Sequence, residues 1–393
     1  MCGIAGAHRD WLSERGLDPA AAMRAALDEL AWRGPDGSAV EAAGPWWLGC
    51  ARLAISGPGR QPVALRNGRH VGIMNGALFD ARRLWAELRP GIERRRRLPN
   101  DAWLPLLALA EARTDLFAGL RGHHAFAVVD RQTGGIVLGQ DLYGEKPLHC
   151  LLTRRPGEPF RLAAFASTVA ALRRLGMPAI TDARRTAEWF RFGWSFDRPH
   201  RFSAHLRLAS PPVRGRPLLP PTPENGKAQW ADAITGGEVA WRANGSRSTP
   251  RPAPSEPAEG DLRALLTTSV ADSLDSPSPA GLSLSGGVDS SCLGLALGAL
   301  GRRIPAYQFR AAESPPAERD AARAVAARAG LPLREIDAGP EVLDSLPHLT
   351  RLAGVPLGDP SILAVHAVAR AASNDGVRIL LGGEGADELL LGY

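Results

Sequence analysis

The chain has 393 residues, 45% hydrophobic and 22% charged, a composition of ordinary globular proteins and enough length for two or three separate cores. Its formal net charge of +6 reflects Arg-rich stretches such as Glu93 to Arg97, read as solvated surface because no nucleic-acid motif accompanies them. Cys2, Cys50, Cys150 and Cys292 form no CxxC pair and follow no secretion signal, and no apolar run reaches the roughly twenty residues of a membrane span, so a zinc site and a membrane protein are set aside and a soluble, cytoplasmic protein with reduced thiols is expected.

From Met1 to about Ser195, short apolar segments read as strands between turns rich in Gly, Pro and Asp: Cys50 to Ile55, His70 to Met74, Ala125 to Val129 and Gly135 to Gly139. Apolar residues recurring at three and four predict helices over Ala20 to Ala31 and Ala102 to Ala112, packed on the sheets of an α+β domain spanning 1–195. Between about Pro199 and Gly260 the composition turns to Pro, Gly, Ser and Arg, which buries too little apolar surface to fold tightly, so 196–260 reads as a linker or variable insertion. From Asp261 onward helix (Leu262 to Leu274), strand (Gly281 to Leu284), helix (Ser290 to Ala299), strand (Ile304 to Phe309), helix (Ala317 to Ala329), strand (Leu333 to Ile336), helix (Ser361 to Ala372) and strand (Val377 to Leu381) alternate. That order predicts an α/β doubly wound parallel sheet over 261–393, with ligand at the carboxyl ends of its strands.

Within this second domain LSLSGGVDSS sets a short apolar strand before Ser285, Gly286 and Gly287 and opens a helix at Ser290. Glycines admit a phosphate close to the backbone, while free amides and the positive helix end attract it. No Gly-Lys-Ser/Thr follows, so this is not the loop of the P-loop NTPases. It resembles the SGGxDS pyrophosphate loop of the N-type ATP pyrophosphatases, which split ATP to AMP and pyrophosphate. Leu381 to Tyr393 (LGGEGADELLLGY) resembles the SGEGADExxxGY motif of asparagine synthetases. The resemblance implies that ATP contacts Leu284, Ser285, Gly286, Gly287, Asp289, Ser290, Phe309, Gly382 and Gly383, with Gly382 in place of the usual Ser. It also implies that Asp289 and Asp387 hold Mg²⁺ and that Glu384 serves the adenylate chemistry.

Met1-Cys2-Gly3-Ile4-Ala5-Gly6 resembles the start of the class II glutamine amidotransferases, N-terminal-nucleophile enzymes with an αββα sandwich. Small residues after Met1 allow its removal, leaving Cys2 with a free α-amino group, reference pKa about 7.7 to 8.0, beside its own thiol. WRGPDG (Trp32 to Gly37), ARLAIS (Ala51 to Ser56), MNGALFD (Met74 to Asp80), Asp101 within LPNDAW and DLYGEKPLH (Asp141 to His149) match further motifs of that family. By resemblance Arg52 forks onto the glutamine α-carboxylate, Asn75 and Gly76 form the oxyanion hole, and Asp101 grips the α-amino group. Ala77 stands where the family has a Glu that shares this last task, which leaves Asp101 to carry the ammonium alone.

Taken in order, the motifs resemble glutamine-dependent asparagine synthetase: glutamine supplies ammonia, ATP and Mg²⁺ activate a carboxylate acceptor, aspartate first among them, and a homodimer is the assembly entertained. The family continues past the GY of its last motif, so 261–393 reads as a synthetase domain truncated at Tyr393, with a longer gene product, a partner that supplies the remainder, or an incomplete synthetase half all open. Other readings also stay open: amidation or cyclisation of another carboxylate, and a glutaminase or regulatory protein with an incomplete ATP half. A tRNA-thiolation type of pyrophosphatase fits poorly, since it calls for catalytic cysteines and only Cys292 is available, in a helix where buried packing suits it.

Overall fold

The computed structural model describes residues 1–88, 100–141, 143–153, 161–179, 183–193, 240–243, 259–311 and 316–387. The chain divides into two compact units, Met1–Ser248 with Arg351–Gly358 and Thr249–Thr350 with Asp359–Tyr393. In chain order the first carries β1 (Gly3–His8), α1 (Arg9–Ser13), α2 (Pro19–Asp28), β2 (Ser38–Ala43), β3 (Trp46–Ala51), β4 (Val63–Ala64), β5 (His70–Leu78), α3 (Ala81–Leu88) and α4 (Trp103–Ala110). It continues through β6 (Gly122–Asp130), β7 (Ile136–Gln140), β8 (His149–Thr153), β9 (Arg161–Ala166), α5 (Val169–Arg174), α6 (Ala183–Phe192) and β10 (Ala240–Ala243).

Two five-stranded sheets form, ordered β2-β3-β1-β9-β8 and β10-β7-β6-β5-β4. Alternation of side chains across each strand sends one set of apolar residues to the partner sheet and the other to helices. Ile4, Leu48 and Phe165 of the first sheet meet Val71, Ile73, Val129 and Leu138 of the second in an inner core. Leu12, Met23, Leu27 and Leu172, from α1, α2 and α5, cover the outer face of the first sheet. Leu84, Leu104 and Leu106, from α3 and α4, cover Met74, Phe126 and Val128 on the outer face of the second. The layers within this unit therefore run helix, sheet, sheet, helix. Asp18 and Thr168 start α2 and α5 by accepting from the amides of Ala21 and Ala171, the usual work of N-cap side chains.

Several sequence expectations need correcting. The strand expected over Cys50 to Ile55 is β3, which begins four residues earlier and ends at Ala51. Beyond it Arg52 N donates to Gly37 O at 2.8 Å and Ala54 N to Asp36 Oδ2 at 2.7 Å, which turns the ARLAIS segment onto the WRGPDG loop. The strand expected to stop at Met74 continues as β5 to Leu78, because β6 stays in register with it as far as Gly122. The linker expected over 196–260 contains β10, paired in parallel with β7, and α7 opens at Glu259; the rest of that segment, like Glu93 to Arg97, lies outside the described residues. Cys292 is exposed rather than packed.

The second unit holds α7 (Glu259–Ser273), β11 (Ala280–Ser283), α8 (Val288–Ala299), β12 (Ala306–Arg310), α9 (Pro316–Ala329), β13 (Leu333–Asp337), α10 (Leu346–Ala353) as far as Thr350, α11 (Ser361–Asn374) and β14 (Ile379–Leu381). Its parallel sheet is ordered β13-β12-β11-β14. Val270, Leu297, Ala322 and Ala326, from α7, α8 and α9, cover one face, and Val368, Ala371 and Ala372 of α11 cover the other. Helices on both faces make the sheet doubly wound.

One backbone position fixes where β5 can run. Gly76 lies opposite His124 at φ +127°, and a Cβ built on it would fall 1.9 Å from the carbonyl oxygen of His123. Neither the dihedral nor the space admits a side chain. Gly76→Ala should therefore destabilise the first unit by about 2 kcal/mol or more, read as a lowered midpoint in urea unfolding; an unchanged midpoint would contradict this packing.

Candidate functional site

Cys2 immediately precedes β1, the central strand of its sheet. Ile4 N donates to Ser167 Oγ at 3.0 Å, Ser167 N donates to Ile4 O at 2.8 Å, and Arg33 Nε donates to the Cys2 carbonyl at 3.1 Å. Arg33 and Ser167 are buried. The main chain is thus held on both sides of the thiol. The Cys2 side chain belongs to the inner core and is 7% exposed. Its sulfur receives the Leu53 amide at 3.3 Å, and its thiol donates to the Leu53 carbonyl at 3.5 Å. The neighbouring Cys50 thiol, with help from the Leu53 amide, the Met1 amino group and Arg52, outweighs burial and lowers the Cys2 thiol to about 6.

Asn75, Gly76 and Ala77 occupy consecutive positions of β5. Asn75 is wholly buried, and among the described residues neither its Nδ2 nor its Oδ1 has a hydrogen-bond partner. Each polar group buried unpaired costs on the order of 1–3 kcal/mol, so such an amide calls for a ligand or another explanation. Asp101, 4% exposed, lies two residues before α4; its Oδ2 accepts from Leu78 N at 2.9 Å, and Ser56 favours its charged form. Burial, the largest influence, pushes Asp101 up to about 7, and the charges of Arg52 and Cys2 also act on it. Ala77 presents a methyl group and no counter-charge. The Arg52 guanidinium donates to the carbonyls of Gly57 and Gly59, and at 3.5 Å to that of Pro58. These are acceptors of the kind a substrate carboxylate would replace.

The structure therefore gathers Cys2, Arg52 and Asp101 within electrostatic reach of one another, with Asn75 to Ala77 on the strand joined to Asp101 through Leu78. Sequence reasoning missed Arg33, although it lies in the matched WRGPDG loop, and Ser56, in the matched ARLAIS segment. Ser167 and Cys50 carried no motif signal at all, because strand pairing alone brings them to Cys2.

In the second unit β11 has β12 on one side and β14 on the other, so the strand order reverses beside it. Ligands of open α/β sheets bind outside the carboxyl ends of strands at such a reversal. The two loops leaving this point are the predicted ones, 284–287 after β11 and 382–385 after β14. They adjoin: a Cβ on Gly383 would fall 2.9 Å from Asp289 Cβ. Gly286, at φ +95°, leaves no room for a Cβ, which would fall 2.0 Å from Glu318 O. Ser285 Oγ and Ser290 Oγ are 2.9 Å apart, Gly287 N donates to Ser285 Oγ at 3.2 Å, and Gln308 Nε2 donates to Ser285 O at 3.1 Å. These bonds fix the loop to β12 and to the first turn of α8, whose N-cap Gly287 offers no side chain to the helix amides.

Leu284 is fully buried in the core beneath the loop. Phe309 lines a cavity of about 520 Å³ at the ends of β12 and β13, with Gln308, Arg310, Glu318 and Asp337 among its other walls. Glu384 turns back toward Gly382, its Oε2 2.0 Å from where a Cβ there would lie, so the serine usual in the family would crowd this conformer of Glu384. Asp387 follows in the first turn of a helix.

Comparison with known proteins gives these sites a family. The Glutamine amidotransferase domain model matches residues 1–212, and the Asparagine synthase model matches residues 261–393. A Mycobacterium tuberculosis protein named for glutamine-hydrolysing asparagine synthetase is 26% identical over 417 residues, covering 100% of this chain and 60% of its own length. Glutamine-hydrolysing asparagine synthetase 1 of Bacillus subtilis is 24% identical over 402 residues, covering 100% of this chain and 59% of its own. The chain thus spans about 60% of the length of these relatives. Among solved structures, glutamine-dependent NAD+ synthetase from Acinetobacter baumannii, in complex with ADP, aligns at 22% identity and TM-score 0.27 over 34% of this chain and 27% of that one. With an amidotransferase domain followed by an asparagine synthase domain, the chain belongs to the glutamine-dependent asparagine synthetase family.

Proposed function

We propose that the chain catalyses the glutamine-splitting half of an ATP-dependent amide synthesis and carries the ATP site of the other half. The observation that carries this reading is Asn75: a buried side-chain amide with no partner among the described residues, on the strand position before a glycine that no other residue can replace. In an N-terminal-nucleophile sandwich, with Met1 removed, the α-amino group of Cys2 takes the thiol proton and Sγ attacks the glutamine side-chain carbonyl. Asn75 Nδ2 and the Gly76 amide then stabilise the oxyanion, an interaction of about 3–4 kcal/mol where donors are preorganised. The leaving ammonia takes the proton back, and water releases glutamate from the thioester. Arg52 holds the α-carboxylate and Asp101 the α-ammonium.

In the second unit, Ser285, Gly286, Gly287 and Ser290 cradle the pyrophosphate of ATP, and Phe309, Gly382 and Gly383 bound its nucleoside. Mg²⁺, when bound, would neutralise phosphate charge; Asp289, in the first turn of α8 beside Gly383, and Asp387, in the helical turn after the second loop, are hard oxygen donors of the kind it takes alongside substrate phosphates. Glu384 assists ammonia's attack on the acyl adenylate, whose acceptor is aspartate. An assay of labelled glutamine and ATP with a panel of carboxylates tests this. Cys2→Ala should lower glutamate release at least about a thousandfold, of the order lost with a catalytic nucleophile, while ammonia-driven pyrophosphate release persists. Glutamate release at the wild-type rate would remove Cys2 from its role.

The Asp101 carboxyl adds a pH signature. Raised to about 7, it holds a proton in the folded protein that the unfolded chain has lost, so its contribution to stability falls as pH climbs from its ordinary range through 7. Affinity for an ammonium moves the other way. The KM for glutamine should fall about tenfold from pH 6 to pH 8 as the carboxylate forms, and Asp101→Asn should flatten the profile at a high KM. A wild-type KM indifferent to pH over that range would contradict the role.

A further inference from the structure

Cys50 has no part in the chemistry above, yet it is placed against the nucleophile. The antiparallel register of β1 and β3 sets Ile4 opposite Cys50 and Gly3 opposite Ala51. Side chains alternate along a strand, so Cys2 shares the face of Ile4, and Cys50 is its diagonal neighbour across the pair. Both thiols point into the inner core between the sheets. Cys50 is fully buried, and its thiol and that of Cys2 act on each other's protonation. Leu53 N approaches the same sulfur at 3.3 Å from the segment that follows β3. The Cys2 sulfur thus meets Leu53, whose amide donates to it and whose carbonyl accepts from it at 3.5 Å, and has Cys50 as a neighbour from the same stretch of chain.

The charges around Cys2 come from every neighbouring element: the terminal amino group, Arg52 after β3, Arg33 after α2, Lys146 between β7 and β8, and Asp101 two residues before α4. Four are cationic and one is acidic, so an anionic sulfur is favoured here. Their field alone does not choose between the two thiols. The mutual interaction of the thiols, followed by burial, does: Cys50, next to the Cys2 sulfur and wholly enclosed, is pushed well above the ordinary thiol range and keeps its proton.

We propose that Cys50 is a positioning residue for the nucleophile, its S–H donating to the Cys2 sulfur and holding that sulfur deprotonated and aimed for attack. This rests on the glutamine-splitting reading. No proton is lost in the arrangement: the Cys2 proton moves to the terminal amine, and Cys50 retains its own. Once Cys2 forms the thioester its sulfur becomes a weak acceptor, so the Cys50 bond acts on the attacking form rather than on the intermediate.

The test follows carbamidomethylation of Cys2 by iodoacetamide as a function of pH, resolved by peptide mass spectrometry so that exposed Cys292 is scored apart. In the wild type the rate should rise with a midpoint near about 6. Cys50→Val fills the site without a donor and Cys50→Ala removes it; either should move the midpoint up by about one pH unit or more, whereas Cys50→Ser, which keeps a donor, should leave it within about half a unit. Circular dichroism identifies which variants fold, and any one folded donor-less variant suffices. Superimposable profiles for that variant and the wild type, or a serine variant shifted as far as valine, would overturn the proposal. Because alkylation needs no glutamine, a wild type with the expected midpoint that releases no glutamate would sink the functional reading and leave this one standing.

Discussion

The first unit depends on a chain terminus built into the middle of a sheet. Termini ordinarily fray, but β1 is the central strand of its sheet, hydrogen-bonded to β3 on one side and β9 on the other. The residue before such a strand has little freedom. Ser167 and Arg33 remove what remains by bonding the main chain at Ile4 and Cys2. A nucleophile that uses its own α-amino group as base needs such an anchor, since both reacting groups sit on one residue and move together.

Around that anchor the polar groups are arranged at a cost in stability. Among the described residues Asn75 carries an unpartnered buried amide, and Asp101 is raised by burial with no cation in direct contact to relieve it. In the second unit the loop after β11 is fixed to the first turn of α8 through the Ser285 and Ser290 hydroxyls and to β12 through Gln308. Sites that trade local stability for readiness to bind are a common feature of ligand-binding folds. Ala77 brings no charge to the strand beside this site, so in the proposed reading Asp101 is the carboxylate that would meet an α-ammonium, and its protonation would govern that affinity.

Much of this was legible in the sequence, for identifiable reasons. The βα alternation after Asp261 carries a strong periodic signal, and glycines at 286 and 383 mark close backbone approaches that the structure contains. The loop motifs named the residues now found grouped. What escaped was long-range pairing. β1 (GIAGAH) is made of small residues with no clear alternation, so only its contacts with β3 and β9 make it a strand. The end of β3 was misjudged because Leu53 and Ile55 look like strand residues, while Asp36 and Gly37 claim the backbone there. Cys50 and Ser167 belong to no motif. Their meaning comes from a register between segments 48 and 163 residues apart in sequence from Cys2 and Ile4.

The central claim is that Cys2, held at the head of β1, is the group that meets the glutamine side chain. A glutamine-analogue diazoketone, which alkylates the nucleophile that attacks its carbonyl end, addresses this directly when the site of attachment is mapped by mass spectrometry. The account predicts one adduct, on the sulfur of an N-terminal Cys2, suppressed by excess glutamine. Attachment elsewhere, or none on the folded protein, would contradict it.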